Sequence, residues 1–435
     1  PALLWLRRSG QGIPVFPVFA AMHLVTFALP IISGRADLAN YSAAELVQAA
    51  ATIAFFLLIG GLLAEWFASR PKRLLAHGPI SLSERQMTTF MVLGLAMGMA
   101  YQVALAEGLV WKLGTAVGLA RAVSLTAFTV AAFFLGVARA SGHLRGAGFA
   151  WALTAMGTVI LLNVSSLFLV GGVSFAGAAF LGYVLTARRI PWIALAFFFL
   201  LLSVFQNGKE SMRRLYWDRP SGGVEVASTV EVPGRIFEWF KAGLGEVAVE
   251  AETPSVLDRS SMVQMLLLVQ RLTPDHIDYL RGESYAQVPA MLVPRVLWKN
   301  KLASQAGMDL LNRRYGLVSF EGAVESAIAW GLIAESWANF GFAGVAGVAA
   351  VVGLFCGLLT RWTTGAPAVS RPTLFSIAAM LGLINASDAA SVVVNLWQIF
   401  AAVLAAFWVF RLFEGRRGKT PRANPLAAVR SRSGD

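Results

Sequence analysis

Charge is scarce in this sequence: Asp, Glu, Lys and Arg make up 14% of its 435 residues, where a water-soluble domain carries about 25%. The shortfall excludes an ordinary soluble enzyme. There is one cysteine, Cys356, set in an apolar run, so no disulfide framework can exist. The four histidines, His23, His77, His143 and His276, lie too far apart in sequence to suggest a zinc site. Phosphate-binding P-loops, HExxH helices and GxSxG elbows are missing as well. No metal and no cofactor is expected.

What is present is apolar sequence, 57% of the chain. A membrane-spanning helix needs about 20 mainly apolar residues. Runs of that kind fall near 13–33, 46–68, 88–106, 116–138, 147–165, 168–187, 190–206, 342–361, 372–391 and 393–412. The expected fold class is therefore an all-α polytopic membrane protein with about ten transmembrane helices. Trp5-Leu6-Arg7-Arg8 ahead of the first run resembles the charged region of a signal peptide. No small-residue cleavage site follows it and more spans do, so a retained first helix is expected.

The net charge of +12 reads as topogenic, not as a nucleic-acid footprint. Arg7, Arg8, Arg70, Lys72, Arg73, Arg85, Arg139, Arg145, Arg188, Arg189, Arg361, Arg371 and the basic tail from Arg411 all fall on one side of a ten-span order. Short loops on the other side hold only Arg35 and Lys112. Lys and Arg accumulate on the cytoplasmic side. The protein is thus expected in a bacterial inner membrane with both termini cytoplasmic.

Four regions follow. Residues 1–206 hold spans one to seven, 342–413 hold spans eight to ten, and 414–435 form a basic cytoplasmic tail near anionic lipid. Residues 207–341 form a long extracytoplasmic loop with 14 Lys/Arg and 16 Asp/Glu. A structureless loop of that length is unusual, and the spacing of apolar residues over Ile236–Leu244 and Met262–Leu272 predicts helices. Asp258 reads as a helix N-cap, and Pro274 would end the second helix or start the next one. The loop is thus expected to be a mostly helical subdomain on the membrane surface.

Three stretches in and beyond this loop carry a pattern: Tyr279-Leu280-Arg281-Gly282-Glu283-Ser284-Tyr285, then Pro294-Arg295-Val296-Leu297-Trp298-Lys299-Asn300-Lys301, then Ala334-Glu335-Ser336-Trp337-Ala338-Asn339-Phe340-Gly341-Phe342-Ala343-Gly344. They resemble elements of the bacterial oligosaccharide repeat-unit polymerases, the O-antigen polymerases, which are related to the O-antigen ligase-like membrane glycosyltransferases. Matching positions include Tyr279, Gly282, Tyr285, Pro294, Arg295, Trp298, Lys301, Glu335, Asn339, Phe340, Gly341 and Gly344. Lys299 and Leu302 stand where that family has prolines. The motifs cover about a fifth of the chain; elsewhere only the layout agrees.

The resemblance implies an enzyme that transfers polyprenyl-diphosphate-linked oligosaccharide units onto a growing glycan at the outer membrane face. The leaving group carries several negative charges, and a guanidinium fork suits phosphate oxygens. Arg295, Arg259, Arg214 and Lys301 are the candidate clamps, with Tyr285 beside them and Arg121 inside span four as a further candidate. Each has a plainer alternative: snorkelling for Arg295, an ion pair within the loop for Arg259, anchoring for Arg214, and helix–helix pairing with Asp388 for Arg121. A general base would activate the acceptor hydroxyl, and Glu335, His276, Glu283 and Asp278 are the candidates. Glu335 lies in an apolar setting where an acid is costly; a structural pairing is its alternative. Expected partners are the lipid-linked oligosaccharide, membrane lipids, a chain-length regulator and a flippase, with no nucleic acid. The rival classes are an O-antigen ligase, a polysaccharide transporter or flippase, and a non-catalytic scaffold of an exopolysaccharide system. Transporters carry inverted repeats and paired broken helices, and the sequence suggests neither.

Overall fold

The computed structural model describes residues 12–32, 34, 38–70, 84–167, 169–217, 227–248, 262–293, 297–298, 306–317, 329–366, 369–384 and 388–415. Among them the chain is helical, with no extended strand. Among the described residues, seven helices are long and apolar enough to cross a membrane, so the protein is a polytopic membrane protein. In lipid every backbone polar group needs an internal partner, and helices supply one residue by residue.

Helix α1 covers Val15–Ile32 and contains one π-turn, Leu24–Ala28. It is followed by α2 (Ala43–Ala68), α3 (Glu84–Ala106) and α4 (Val117–Ser141), the last entered through a 3-10 segment, Leu109–Ala116. Then come α5 (Gly146–Val164), α6 (Leu169–Ala187) and the shorter α7 (Trp192–Asn207). The hydrophilic region supplies α8 (Lys209–Trp217), α9 (Val232–Ala248), α10 (Val263–Leu272), α11 (Val288–Met291) and α12 (Ala306–Arg314). The last described helices are α13 (Gly331–Thr363), α14 (Arg371–Ile384) and α15 (Ala389–Gly415). The expected helices over Ile236–Leu244 and Met262–Leu272 lie inside α9 and α10, and α10 stops two residues before Pro274. Asp258 lies outside the described residues.

Apolar side chains gain little by leaving lipid for protein, so spans associate through close packing and polar contacts. Gly353 of α13 lies so near Gly60 of α2 that a Cβ there would sit 2.3 Å from the Gly60 carbonyl oxygen; at Gly357 the Ala64 carbonyl is 2.6 Å away. Phe342 packs edge-on to Phe55. The two helices therefore run parallel, residue numbers rising together. By the same test α4 and α6 are parallel, through Phe128 with Phe175 and Gly136 with Ala179. In contrast, α1 and α2 are antiparallel, through Phe16 with Gly60 and Phe19 with Phe56.

Two departures from the expected layout position the site. The first is α10. Its Val263, Leu266, Leu267 and Val269 are fully buried. The Met262 N–H donates to the Thr26 carbonyl at 2.9 Å, and Gln270 Nε2 donates to Thr52 Oγ1 at 2.8 Å. Thr26 and Thr52 lie well inside α1 and α2. This part of the hydrophilic region is inserted beside the spans, not stacked on their ends. Its top is tied to the start of α2: Arg271 gives two bonds to the Glu45 carboxylate, at 2.6 and 3.1 Å, and one to the Asn40 carbonyl at 2.9 Å. Glu45 also closes a capping box with Ser42, so one carboxylate caps α2 and docks α10.

The second departure is a break in α13. Phe340 and Gly341 leave helical geometry, Gly341 with φ +58°. Residues eight apart on a straight helix are about 12 Å apart along the axis. Yet a Cβ on Gly344 would lie 2.2 Å from the Ser336 carbonyl. The chain must therefore fold back at the break, giving a first arm, Gly331–Asn339, set against the rest of the span. The sequence suggests no paired broken helices, and this break is a feature of one span. The break lies just before the expected span 342–361, and its turn is made by one residue with positive φ, where a side chain would meet the Tyr279 hydroxyl at 2.8 Å.

Candidate functional site

The break in α13 is where two of the three sequence motifs meet. The turn Tyr279–Tyr285 lies across the end of the first arm. The Leu280 and Arg281 N–H groups donate to the Ala338 and Asn339 carbonyls, at 3.0 and 3.1 Å. The Asn339 side chain completes the join: its Oδ1 accepts from the Gly282 N–H at 2.9 Å, and its Nδ2 donates to Ser284 Oγ at 2.9 Å and to the Glu335 carbonyl at 2.8 Å. Ser284 Oγ donates in turn to Glu335 Oε1 at 2.8 Å. The other oxygen, Oε2, accepts from the Ala389 N–H at 2.7 Å, at the start of α15. A carboxylate at a helix N-terminus is stabilised by the unpaired amides there.

Glu335, Ser284 and Asn339 are buried to 1% exposure or less. Buried polar groups of this kind are tolerable only when satisfied. Asp388 is also buried and caps α15, its Oδ1 accepting from the Ser391 N–H at 3.0 Å and from the Ser391 hydroxyl. Two buried carboxyls thus flank the first residue of α15. Position 307 of α12 approaches Asp388 so closely that a Cβ on Gly307 would lie 3.3 Å from Oδ2.

An aromatic shell surrounds this core. Trp337 packs on Phe342 with ring centres 4.5 Å apart, and Tyr285 on Phe340 at 6.4 Å. Burial pushes the Tyr285 phenol well above its ordinary value, and the Glu335 carboxylate adds to the effect.

The sequence-predicted residues divide as follows. Glu335 and Tyr285 belong to the core of the site, and Glu283 to the turn, where its side chain is exposed. His276 is exposed on the segment between α10 and the turn. Arg121 is exposed on α4, while its expected partner Asp388 is buried at the cap of α15. Arg259, Arg295 and Lys301 lie outside the described residues, as does the side chain of Arg214. Of the middle motif, Leu297 and Trp298 are described and exposed. Both oxygens of Glu335 are engaged, by the Ser284 hydroxyl and the Ala389 N–H, and its side chain has almost no open surface.

Three residues were missed as site components: Ser284, Asn339 and Arg281. Ser284 and Asn339 sit in the motifs, but nothing in their spacing pairs them across 55 positions. Among the described residues no group of three or more metal-ligating side chains comes together. Comparison with protein-family models, with curated proteins and with solved structures finds no match.

Proposed function

We propose that this chain is an inner-membrane glycan polymerase. It joins oligosaccharide repeat units carried on polyprenyl diphosphate, at the outer face of the membrane. One observation carries the reading: the motif around Gly282 and the motif around Glu335, 53 residues apart, are bonded into one unit at a break in a span. Motif residues that were merely local helix or turn signals would have no reason to meet. Irregular backbone at this depth is tolerated where it is buried in protein or lines a cavity, which is where a lipid-linked substrate must be handled.

The reading uses ten spans with both termini cytoplasmic, α7, α14 and α15 completing the seven longer helices. The parallel packing of α2 with α13, and of α4 with α6, is what that order requires of its second and eighth, and its fourth and sixth, members. In the reaction, the acceptor hydroxyl oxygen bonds to the anomeric carbon as the bond from that carbon to the diphosphate oxygen breaks. Polyprenyl diphosphate leaves, and the hydroxyl proton passes to a side chain able to take it. Glu283 and His276 are exposed and suit that role; Glu335 holds the turn. A chain-length regulator and a flippase are the expected cellular partners.

The test is the glycan profile of a deletion strain, complemented with wild-type protein or with Glu335→Ala. Collapse of a polymer ladder to single repeat units supports polymerisation. Polymer that accumulates on the lipid carrier assigns a ligase instead, and an unchanged ladder rejects both.

A further inference from the structure

The turn that Glu335 and Asn339 hold presents one residue in an unfavourable backbone conformation. Arg281 has φ +49° and Gly282 φ +93°. Positive φ is ordinary for glycine and costs a residue with a Cβ. The conformation is imposed from both sides, by the Arg281 N–H on the Asn339 carbonyl and the Gly282 N–H on Asn339 Oδ1. Nothing in the backbone calls for arginine there; glycine would meet the same geometry without strain. The side chain is exposed, and among the described residues none pairs with its guanidinium.

Its position in depth adds to this. Asn339 precedes Phe342 by three residues, and Phe342 packs on Phe55. Phe55 lies twelve residues into α2, about 18 Å from its first residue. The turn therefore lies alongside α2 and not beyond its end. A cation beside a span with no partner among the described residues is expensive and marks a functional position. Below it runs an exposed apolar strip: Phe340 is 45% and Phe342 50% exposed. The Phe340 ring comes within 3.3 Å of the position a Cβ on Gly282 would take. Cation and strip are adjacent.

We propose that Arg281 binds the phosphate headgroup of the lipid-linked substrate, with the start of its prenyl chain lying along Phe340 and Phe342. The guanidinium fork matches paired phosphate oxygens, and the aromatic strip matches an unsaturated hydrocarbon. The proposal rests on the polymerase reading and names a binding residue for it. Strain retained at an arginine, where glycine would be relaxed, is what distinguishes a ligand contact from a structural one.

The experiment uses full-length protein in nanodiscs and measures binding of farnesyl diphosphate, farnesyl monophosphate and inorganic pyrophosphate to wild type, Arg281→Gly and Arg281→Gln. Thermal midpoints are recorded for each. The expected result is that farnesyl diphosphate binds wild type more tightly than either other probe. Arg281→Gly should weaken that binding by about 10- to 100-fold, the loss of a charge-assisted contact, with an unchanged or raised midpoint. Arg281→Gln should weaken it as much. Wild-type protein that binds farnesyl diphosphate while both variants bind it equally well overturns the role of Arg281 and leaves the polymerase reading standing. Pyrophosphate binding as tight as farnesyl diphosphate overturns the lipid strip. Wild type that binds no diphosphate overturns the polymerase reading itself.

Discussion

Replacing Asn339 is the most direct challenge to the network that organises the site. The side chain is fully buried and makes three hydrogen bonds, each from an atom that could not be exchanged for the other. Oδ1 must face the Gly282 N–H, and Nδ2 must face the Glu335 carbonyl. Asn339→Ala removes all three. Each is worth about 1 kcal/mol net, and a buried group left unsatisfied costs about 1–3 kcal/mol. With one of the three groups partly exposed and the Ser284 hydroxyl still bonded to Glu335, a loss of roughly 2–4 kcal/mol follows. Asn339→Asp is the sharper variant. It retains an acceptor for Gly282 but deletes the donor, and it adds a carboxyl beside the carbonyl and carboxylate of Glu335. Stability should therefore fall in the order wild type, Asn339→Ala, Asn339→Asp. Cys356, the single cysteine and fully buried, supplies the assay: a thiol-reactive fluorophore reports its exposure as the protein unfolds in detergent. Coincident unfolding curves, or an aspartate variant at least as stable as the alanine one, would refute the reasoning.

Other perturbations follow from the same geometry. Gly341→Ala places a Cβ at φ +58°, 2.8 Å from the Tyr279 hydroxyl, and should cost about 1–3 kcal/mol; adding Tyr279→Phe relieves the contact but not the backbone, so full rescue by the double variant would contradict the account. Glu107 accepts from the Thr229 N–H at 3.1 Å and from its hydroxyl, which holds its carboxyl below the usual range. A lowered folded-state value stabilises above the ordinary carboxylate range and is lost as pH falls. The midpoint difference between wild type and Glu107→Gln should thus be present at pH 7 and shrink on acidification, and a difference that grows on acidification would reject the pairing. Val230, almost wholly exposed, becomes a topology probe: Val230→Cys in intact cells with a permeabilised outer membrane should react with an impermeant thiol reagent, whereas labelling only after inner-membrane lysis would invert the proposed orientation.

The membrane class, the helical content and the positions of most spans were legible in the sequence because hydropathy is a local sum. A run such as 46–68 is apolar whatever it packs against. The stop of α10 before Pro274 was legible for the same reason, since proline acts on its own backbone neighbourhood. The three motifs stood out as strings, but what they do to one another did not. Whether Glu335 faces an acceptor or a serine depends on where residues 279–285 lie, and only packing decides that. Arg281 reads as one arginine among many until its φ is known. The fold-back at Phe340–Gly341 is invisible within 33 residues of helix, because a single glycine in an apolar span is common and its sense of turn is fixed by Tyr279 and Ser336 alongside it. The insertion of α10 was hidden by its length: ten residues are too few to span, so hydropathy assigns them to the outside, while their buried face and the bonds to Thr26 and Thr52 carry them in. Composition determined what kind of solvent this protein meets. Contacts between residues far apart in the chain decided which of its polar side chains remain available to a substrate.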